Sequence, residues 1–324
     1  MGKGLGDFSH EGESIMDNEM KALVEQAVEG ARSLCGKGNV ANYIPALAKV
    51  DPDKLGLAVA TVDGSCHGAG DADEAFSIQS ISKVFTLAMT LEKTGDDLWD
   101  CVGREPSGSA FNSIVQLESE GGIPRNPLIN AGAIAVTDRL IGEVSVDDTV
   151  ARLLSFMRDR AQSDDVEIDE DVALSEAATG ERNRSLAYFM SAFGNLTKPV
   201  DVALSVYFRQ CALAMSCRQL ARAGLFLANG GIDPASGERI VTAERCRRIN
   251  AVMLTCGHYD NSGDFAFRVG LPGKSGVGGG ILVVAPGRGA LAAWSPALNK
   301  AGTSYAGSAA LEHFASEAGW SVFD

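Results

Sequence analysis

Strand-like patterns stand near both ends of this chain, and the long stretch between them carries helical patterns. "LGLAVATVDG" (55–64) is a short apolar run ending in Asp-Gly, which reads as a strand and a turn, and "CHGAG" opens a return strand. Far downstream, "DFAFRVG", "GGILVVAPG" and "ALAAWSP" read as strands, the last two joined by a hairpin at Pro286-Gly287-Arg288-Gly289. In the middle, "SISKVFTLAMTLEK" (80–93) is apolar nearly all round from Val84 to Leu91, which predicts a buried central helix. "NAGAIAVTDRL" (130–140) predicts another. Residues 200–228, rich in Ala, Leu and Cys, predict one or two packed helices stopped by Asn229-Gly230-Gly231. An amphipathic helix is expected over residues 20–34, and "SYAGSAALEHFASEAG" closes the chain as a helix. Early and late strands can share one sheet only if the middle is an inserted helical subdomain. The expected architecture is therefore α/β plus all-α, with a site between the parts. Its sheet part comes from residues 21–75 and 255–324, its helical part from 76–254, and residues 1–20 are expected to be a disordered tail.

Composition narrows the function. With 45% hydrophobic and 22% charged residues, 324 residues can bury a substantial core. The formal charge, 28 minus 42 or −14, argues against nucleic acid and anionic membranes as partners, because both need basic patches. A small zwitterionic substrate stays open. Seven cysteines are scattered with no C-x-x-C, a pattern that suits a reducing cytoplasm. The four histidines, at 10, 67, 258 and 313, have no helical metal-ligand spacing, so no metal site is expected. The first eighteen residues lack the basic start and apolar run of a signal peptide, and no apolar stretch approaches membrane-spanning length. The acidic run "QSDDVEIDED" (162–171) reads as a solvated loop or helix start rather than a metal site.

Two short motifs carry chemistry. Ser80 and Lys83 form S-x-x-K, which on a helix puts both side chains on one face. A serine hydroxyl is a poor nucleophile until a base takes its proton. A lysine serves as that base if burial keeps it neutral, and Val84, Phe85 and Leu87 make burial expected here. The bland alternative is a serine N-cap beside a surface lysine, but solvated lysines seldom open a nearly all-apolar helix. The second motif is Lys274-Ser275-Gly276 within "GLPGKSGVGGG", close to the K-T-G that accompanies S-x-x-K in penicillin-recognising enzymes. Glycines there let a substrate approach backbone N–H groups that can form an oxyanion hole. A phosphate loop is the rival reading of Gly273-Lys274-Ser275. It fails because Arg268 stands where an earlier glycine is required, and a strand, not a helix, follows.

Longer strings are more specific. "NYIPALAKV", "SIQSISKVF", "NPLINAGAI", "SEAATGERNRSLAYFM", "VYFRQC", "LANGG" and "YDNSGDFAFRVGLPGKSGVGGGILVV" resemble, in order and spacing, the successive motifs of the bacterial glutaminase family. The resemblance runs from about residue 25 to the C-terminus. It implies a β-lactamase/transpeptidase-like fold, an antiparallel sheet flanked by helices with an inserted helical subdomain. By position, it implies Ser80 as nucleophile and Lys83 as its base, with Tyr259 and Tyr43 as tyrosines at the reacting centre. Asn130, Glu176, Asn183 and Tyr207 would hold the amino-acid end of glutamine, while Ser80 and Tyr259 would contact the substrate at its reacting amide. Val277 would complete the oxyanion hole with its backbone N–H.

Each residue also has a structural alternative. Glu176 could be helix-start charge, Asn130 and Asn183 helix caps, and Tyr207 a core tyrosine with a satisfied hydroxyl. Tyr259, in a turn rich in Gly, Asn and Asp, has less structural reason to be large and aromatic. The implied reaction is hydrolysis of L-glutamine to L-glutamate and ammonia through a glutamyl-enzyme, with no cofactor and no metal. The resemblance also implies a cytoplasmic homo-oligomer, with a tetramer as its expected size. Two other readings are a penicillin-recognising serine hydrolase, which would act outside the cytoplasm, and a non-catalytic amino-acid sensor, which has no use for an activated serine.

Overall fold

Both ends of the chain enter one sheet. The computed structural model describes residues 8–107 and 114–324, with side chains from residue 17 onward. Strands β1 (Gly56–Thr61) and β2 (Cys66–Gly70) come from the first part of the chain. Strands β6 (Gly273–Ser275), β7 (Gly280–Ala285) and β8 (Gly289–Trp294) come from the last. Their order is β2-β1-β8-β7-β6, antiparallel at every pair. The junction is β1 against β8, with Gly56 opposite Trp294 and Thr61 opposite Gly289. Three short strands, β3 (Phe76–Ser77), β4 (Glu167–Ile168) and β5 (Leu213–Met215), make a second sheet in the order β3-β5-β4.

Alternate residues of the main strands serve two different layers, because successive side chains point to opposite faces. Leu57, Val59, Ile281, Val283, Leu291 and Ala293 pack with Val24 and Val28 of helix Phe8–Ala31 and with Leu311 and Phe314 of helix Tyr305–Ala318. Ala58, Ala60, Leu282, Val284, Ala290 and Ala292 face Val84, Phe85, Leu220 and Phe226 on the other side. With both faces covered, these strands read as unbroken apolar runs. The helical middle is built on helix Ser82–Thr94, buried on most of its surface and packed against helix Asn130–Ile141.

Three local expectations differ from the structure. "DFAFRVG" forms helix Ser262–Val269, not a strand. In a strand Phe265 and Phe267 would share a face, yet Phe265 is 4% exposed and Phe267 91%. The buried pair Phe265 and Val269 is spaced i, i+4, so a short helical stripe mimicked alternation. Within 200–228, β5 stands between helices Val200–Cys211 and Cys217–Ala223, because Leu213 and Ala214 pair with β4 while Ala214 and Met215 pair with β3. The first helix begins at Phe8, well ahead of residue 20; no proline interrupts it, and Asp17 meets His67 of β2 at 2.8 Å. Residues 1–7 of the expected tail lie outside the described residues.

The glycines after β6 have a packing role beyond any substrate. A Cβ at Gly276 would lie 2.4 Å from the Ile78 carbonyl oxygen, and one at Gly278 2.4 Å from that of Ser77. Only glycine lets this loop lie on the backbone that leads into helix Ser82–Thr94. Gly276→Ala should therefore lose about 1–3 kcal/mol of stability, as overpacked sites do. Urea unfolding checks this, with Gly263→Ala, which meets nothing within 4 Å inside helix Ser262–Val269, as a control expected to be no less stable than the parent.

Candidate active site

The local sequence builds a tight turn before a buried helix. Gln79–Ile81 is a 3₁₀ turn and Ser82 begins the α-helix, so S-x-x-K spans the junction rather than one regular helix. Ser82 Oγ donates to the Gln79 carbonyl at 2.7 Å and fixes this turn. Ser80 is 8% exposed and Lys83 1%. Lys83 Nζ donates to Asn130 Oδ1 at 2.8 Å and to the Leu128 carbonyl at 3.3 Å. Both acceptors are neutral. Among the described residues no carboxylate lies in ion-pair reach of this amine, and burial pulls its pKa down to about 8.

Seven of the nine residues singled out in the sequence, Tyr43, Ser80, Asn130, Glu176, Asn183, Tyr207 and Val277, line one cavity of about 200 Å³. The other two join it from behind: Lys83 through Asn130, and Tyr259 through a hydrogen bond with Ser80. Asn130 is not a cap; Asn126 Oδ1 accepts from Leu128 and Ile129 instead, and Asn130 Nδ2 donates to Asn183 Oδ1 at 2.9 Å. Glu176 sits late in helix Glu170–Ala178, so it is not helix-start charge; the acidic run upstream supplies that start, with Asp169 as N-cap. Burial pushes the Glu176 carboxyl up to about 7, against the pull of nearby Lys83 and of its bond with Gln79. Tyr207 is 2% exposed and bonds the Cys211 thiol while facing the cavity, so it is both core and wall. Tyr43 is half exposed, at the edge of the same cavity and of a wider outer one that Tyr259 and Val277 also line.

Four more residues belong to the site. Gln79 bonds Glu176 and donates to Ser77 Oγ at 3.0 Å; its signal was adjacency to Ser80. Cys211, four residues after Tyr207 on one helix face, lines the cavity, and burial pushes its thiol up to about 12. A thiol held there stays protonated at neutral pH, which disfavours it as nucleophile. Arg182, one residue before Asn183, lines the same cavity. Lys274, the lysine of the K-S-G motif, is fully buried, donates to the Ser275 carbonyl at 2.7 Å, and lies 4.2 Å from the Tyr259 ring centroid. Burial and nearby Lys83 hold its pKa well below the usual lysine range. Among the described residues, no group of three His, Cys, Asp or Glu could hold a metal ion, and no helix is long and apolar enough to cross a membrane.

A buried serine and lysine beside an acid and two amides can cleave an acyl bond in a small zwitterion. The glutaminase family model matches residues 38–323. The chain belongs to the glutaminase family. It is 59% identical over 305 residues to a glutaminase of Rhizobium etli, covering 94% of this chain and 99% of that one. The solved structure of a probable glutaminase, ybaS, superposes with a TM-score of 0.88 at 40% identity, covering 94% of this chain and 99% of that chain. That of a probable glutaminase from Bacillus subtilis complexed with 6-diazo-5-oxo-L-norleucine gives 0.84 at 33% identity, covering 100% and 98%. These neighbours share the β-lactamase-like fold expected of the glutaminase family, an antiparallel sheet with helices on both sides.

Proposed function

We propose that this chain hydrolyses L-glutamine to L-glutamate and ammonia, with Ser80 as nucleophile and a glutamyl-enzyme intermediate. The observation that carries this is one small cavity walled by Ser80 at one part and Glu176 at another, with the buried Lys83 amine behind it. An amino acid's α-ammonium needs an acid, and its carboxylate needs neutral donors, which Asn130, Asn183 and Tyr207 can supply. The neighbour bound to 6-diazo-5-oxo-L-norleucine supports the same reading, since that compound carries an electrophilic group where glutamine has its side-chain amide.

In this mechanism Ser80 attacks the side-chain amide carbon. Neutral Lys83 takes the hydroxyl proton, directly or through Tyr259. The backbone N–H groups of Ser80 and Val277 receive the oxyanion. Ammonia leaves with a proton returned through Lys83 or Tyr259, and water hydrolyses the ester. Tyr43 closes the edge of the cavity. The reaction needs no metal and no organic cofactor. The seven free cysteines support a reducing, cytoplasmic setting, and the family suggests a homotetramer.

Three measurements test this. Purified Ser80→Ala should fold but release no ammonia from glutamine, because one hydroxyl contributes little to stability; near-normal turnover would sink the mechanism. Glu176→Gln should weaken glutamine about ten- to a hundredfold, the roughly 1.5–3 kcal/mol of a charge-assisted contact. N-acylated glutamine, lacking the ammonium, should be a poor substrate; equal rates on free and acylated glutamine would remove that role.

The third concerns pH. The free enzyme needs Lys83 neutral and Glu176 ionised. Each must lose a proton, from groups held at about 8 and about 7. kcat/KM should therefore rise through this range to an alkaline plateau, with an acid limb steeper than one proton allows, the two groups titrating as a coupled pair. Lys83→Arg should be as inactive as Lys83→Ala, because guanidinium does not deprotonate here. A substantially active arginine variant would make Lys83 an anchor rather than a base.

A further inference from the structure

Among the described residues, three that are not glycine adopt a positive φ: Gln79 at 51°, Gln162 at 53° and Tyr259 at 54°. Gln162 ends helix Val146–Ala161, where this conformation is common. The other two flank the nucleophile. Gln79 precedes Ser80 in the chain, and Tyr259 is hydrogen-bonded to it. A left-handed residue with a Cβ persists only where its surroundings over-determine it.

The surroundings of Gln79 do so. Gln79 is 2% exposed, and its side chain donates to Ser77 Oγ at 3.0 Å and bonds the Glu176 carboxylate. Ser77 Oγ in turn donates to the Cys211 carbonyl at 2.9 Å. The Gln79 carbonyl accepts from Ser82 Oγ. The stem packs on the loop of Val277: a Cβ at Gly276 would lie 3.3 Å from Gln79 Cβ, and one at Gly278 3.5 Å from Gln79 Cγ. The side chain of the residue before the nucleophile therefore touches Ser77 at the end of β3, the glycine loop opposite, and the acid of the cavity.

We infer that Gln79 is a positioning residue: it holds the Ser80 peptide in its reactive orientation and ties it to the carboxylate that receives the substrate's ammonium. This rests on the proposed function. The tie makes correct seating of the amino-acid end bear on kcat as well as on KM. Glu176 is also faced by Lys83 from helix Ser82–Thr94, by Tyr207 and Cys211 from helix Val200–Cys211, by Tyr43, and by Arg182 at the same cavity. Substituting Gln79 leaves all of these in place.

The test compares Gln79→Met and Gln79→Gly with the wild type on glutamine, alongside thermal unfolding. Methionine keeps the volume and loses the bonds; glycine accepts the backbone and loses the side chain, so a folding failure of one leaves the other to decide. Both should lower kcat by roughly tenfold or more, short of the full loss of an oxyanion donor. In both, the acid limb of kcat/KM should move to higher pH, because Glu176 loses a donor to its ionised form. The same limb is readable in L-glutamate binding, which needs no turnover. Wild-type kcat with an unmoved limb overturns the inference, and so does a rise in KM alone, which would make Gln79 a plain substrate contact. Wild-type ammonia release judges the proposed function by itself; the ratio of variant to wild type judges Gln79. A wild type that neither turns over glutamine nor binds glutamate overturns both.

Discussion

A lysine amine buried in an apolar helix, with no carboxylate in ion-pair reach among the described residues, is held at a cost, and the site is arranged around that cost. Burial disfavours the ammonium form, and the two acceptors of Lys83, an amide oxygen and a backbone carbonyl, stabilise it only partly. A carboxylate in their place would hold the proton on the lysine. Asn130 instead accepts from Lys83 and donates to Asn183, so one amide joins the buried amine to the cavity wall. The nearest role for a negative charge is given to Glu176, which is itself buried and pushed up to about 7. In the proposed mechanism both groups titrate close to neutrality, and a zwitterion's ammonium would stabilise the Glu176 carboxylate.

This arrangement needs both halves of the fold. Ser80 and Lys83 stand where the chain leaves the small β3 strand for the central helix. Asn130, Glu176, Asn183 and Tyr207 come from four other helices of the insertion. Tyr259 and Val277 come from the returning chain, next to β6. The turn carrying Val277 can reach Ser80 only because Gly276 and Gly278 bring its backbone onto that of Ser77 and Ile78. An edge strand with side chains at those two positions would stand farther off. The pairing of β1 with β8 closes the sheet and fixes where that edge lies.

Much of this was legible because long apolar runs and motif strings carry their own context. Strands Gly56–Thr61, Gly280–Ala285 and Gly289–Trp294 lie buried on both faces, so each gives an unbroken hydrophobic signal. The lysine inside the run 80–93 pointed to a buried amine, and the amine is buried. What was not legible depends on contacts distant in sequence. "DFAFRVG" alternates like a strand over too few residues to separate a period of two from one of 3.6; only Phe267 in solvent tells them apart. Leu213–Met215 is too short to signal a strand and exists because β3 and β4 flank it. Gln79 carries no signal beyond its place next to Ser80. Its left-handed backbone depends on Ser77, Glu176 and the glycine loop, which are separated in the chain and meet only on folding.

The second buried lysine completes the electrostatic argument. Lys274 lies over the face of Tyr259 and donates to the carbonyl of its neighbour Ser275. With Lys83 near and water excluded, two ammonium groups here would repel each other in a poorly screening medium. Burial and the neighbouring amine hold Lys274 well below the usual lysine range, and Lys83, held at about 8, is an amine that can take up a proton near neutral pH. The tyrosine between them is pushed upward by its own burial and stays a neutral phenol. It can therefore pass a proton without holding a charge, which is what a group placed between a serine hydroxyl and a titrating amine has to do.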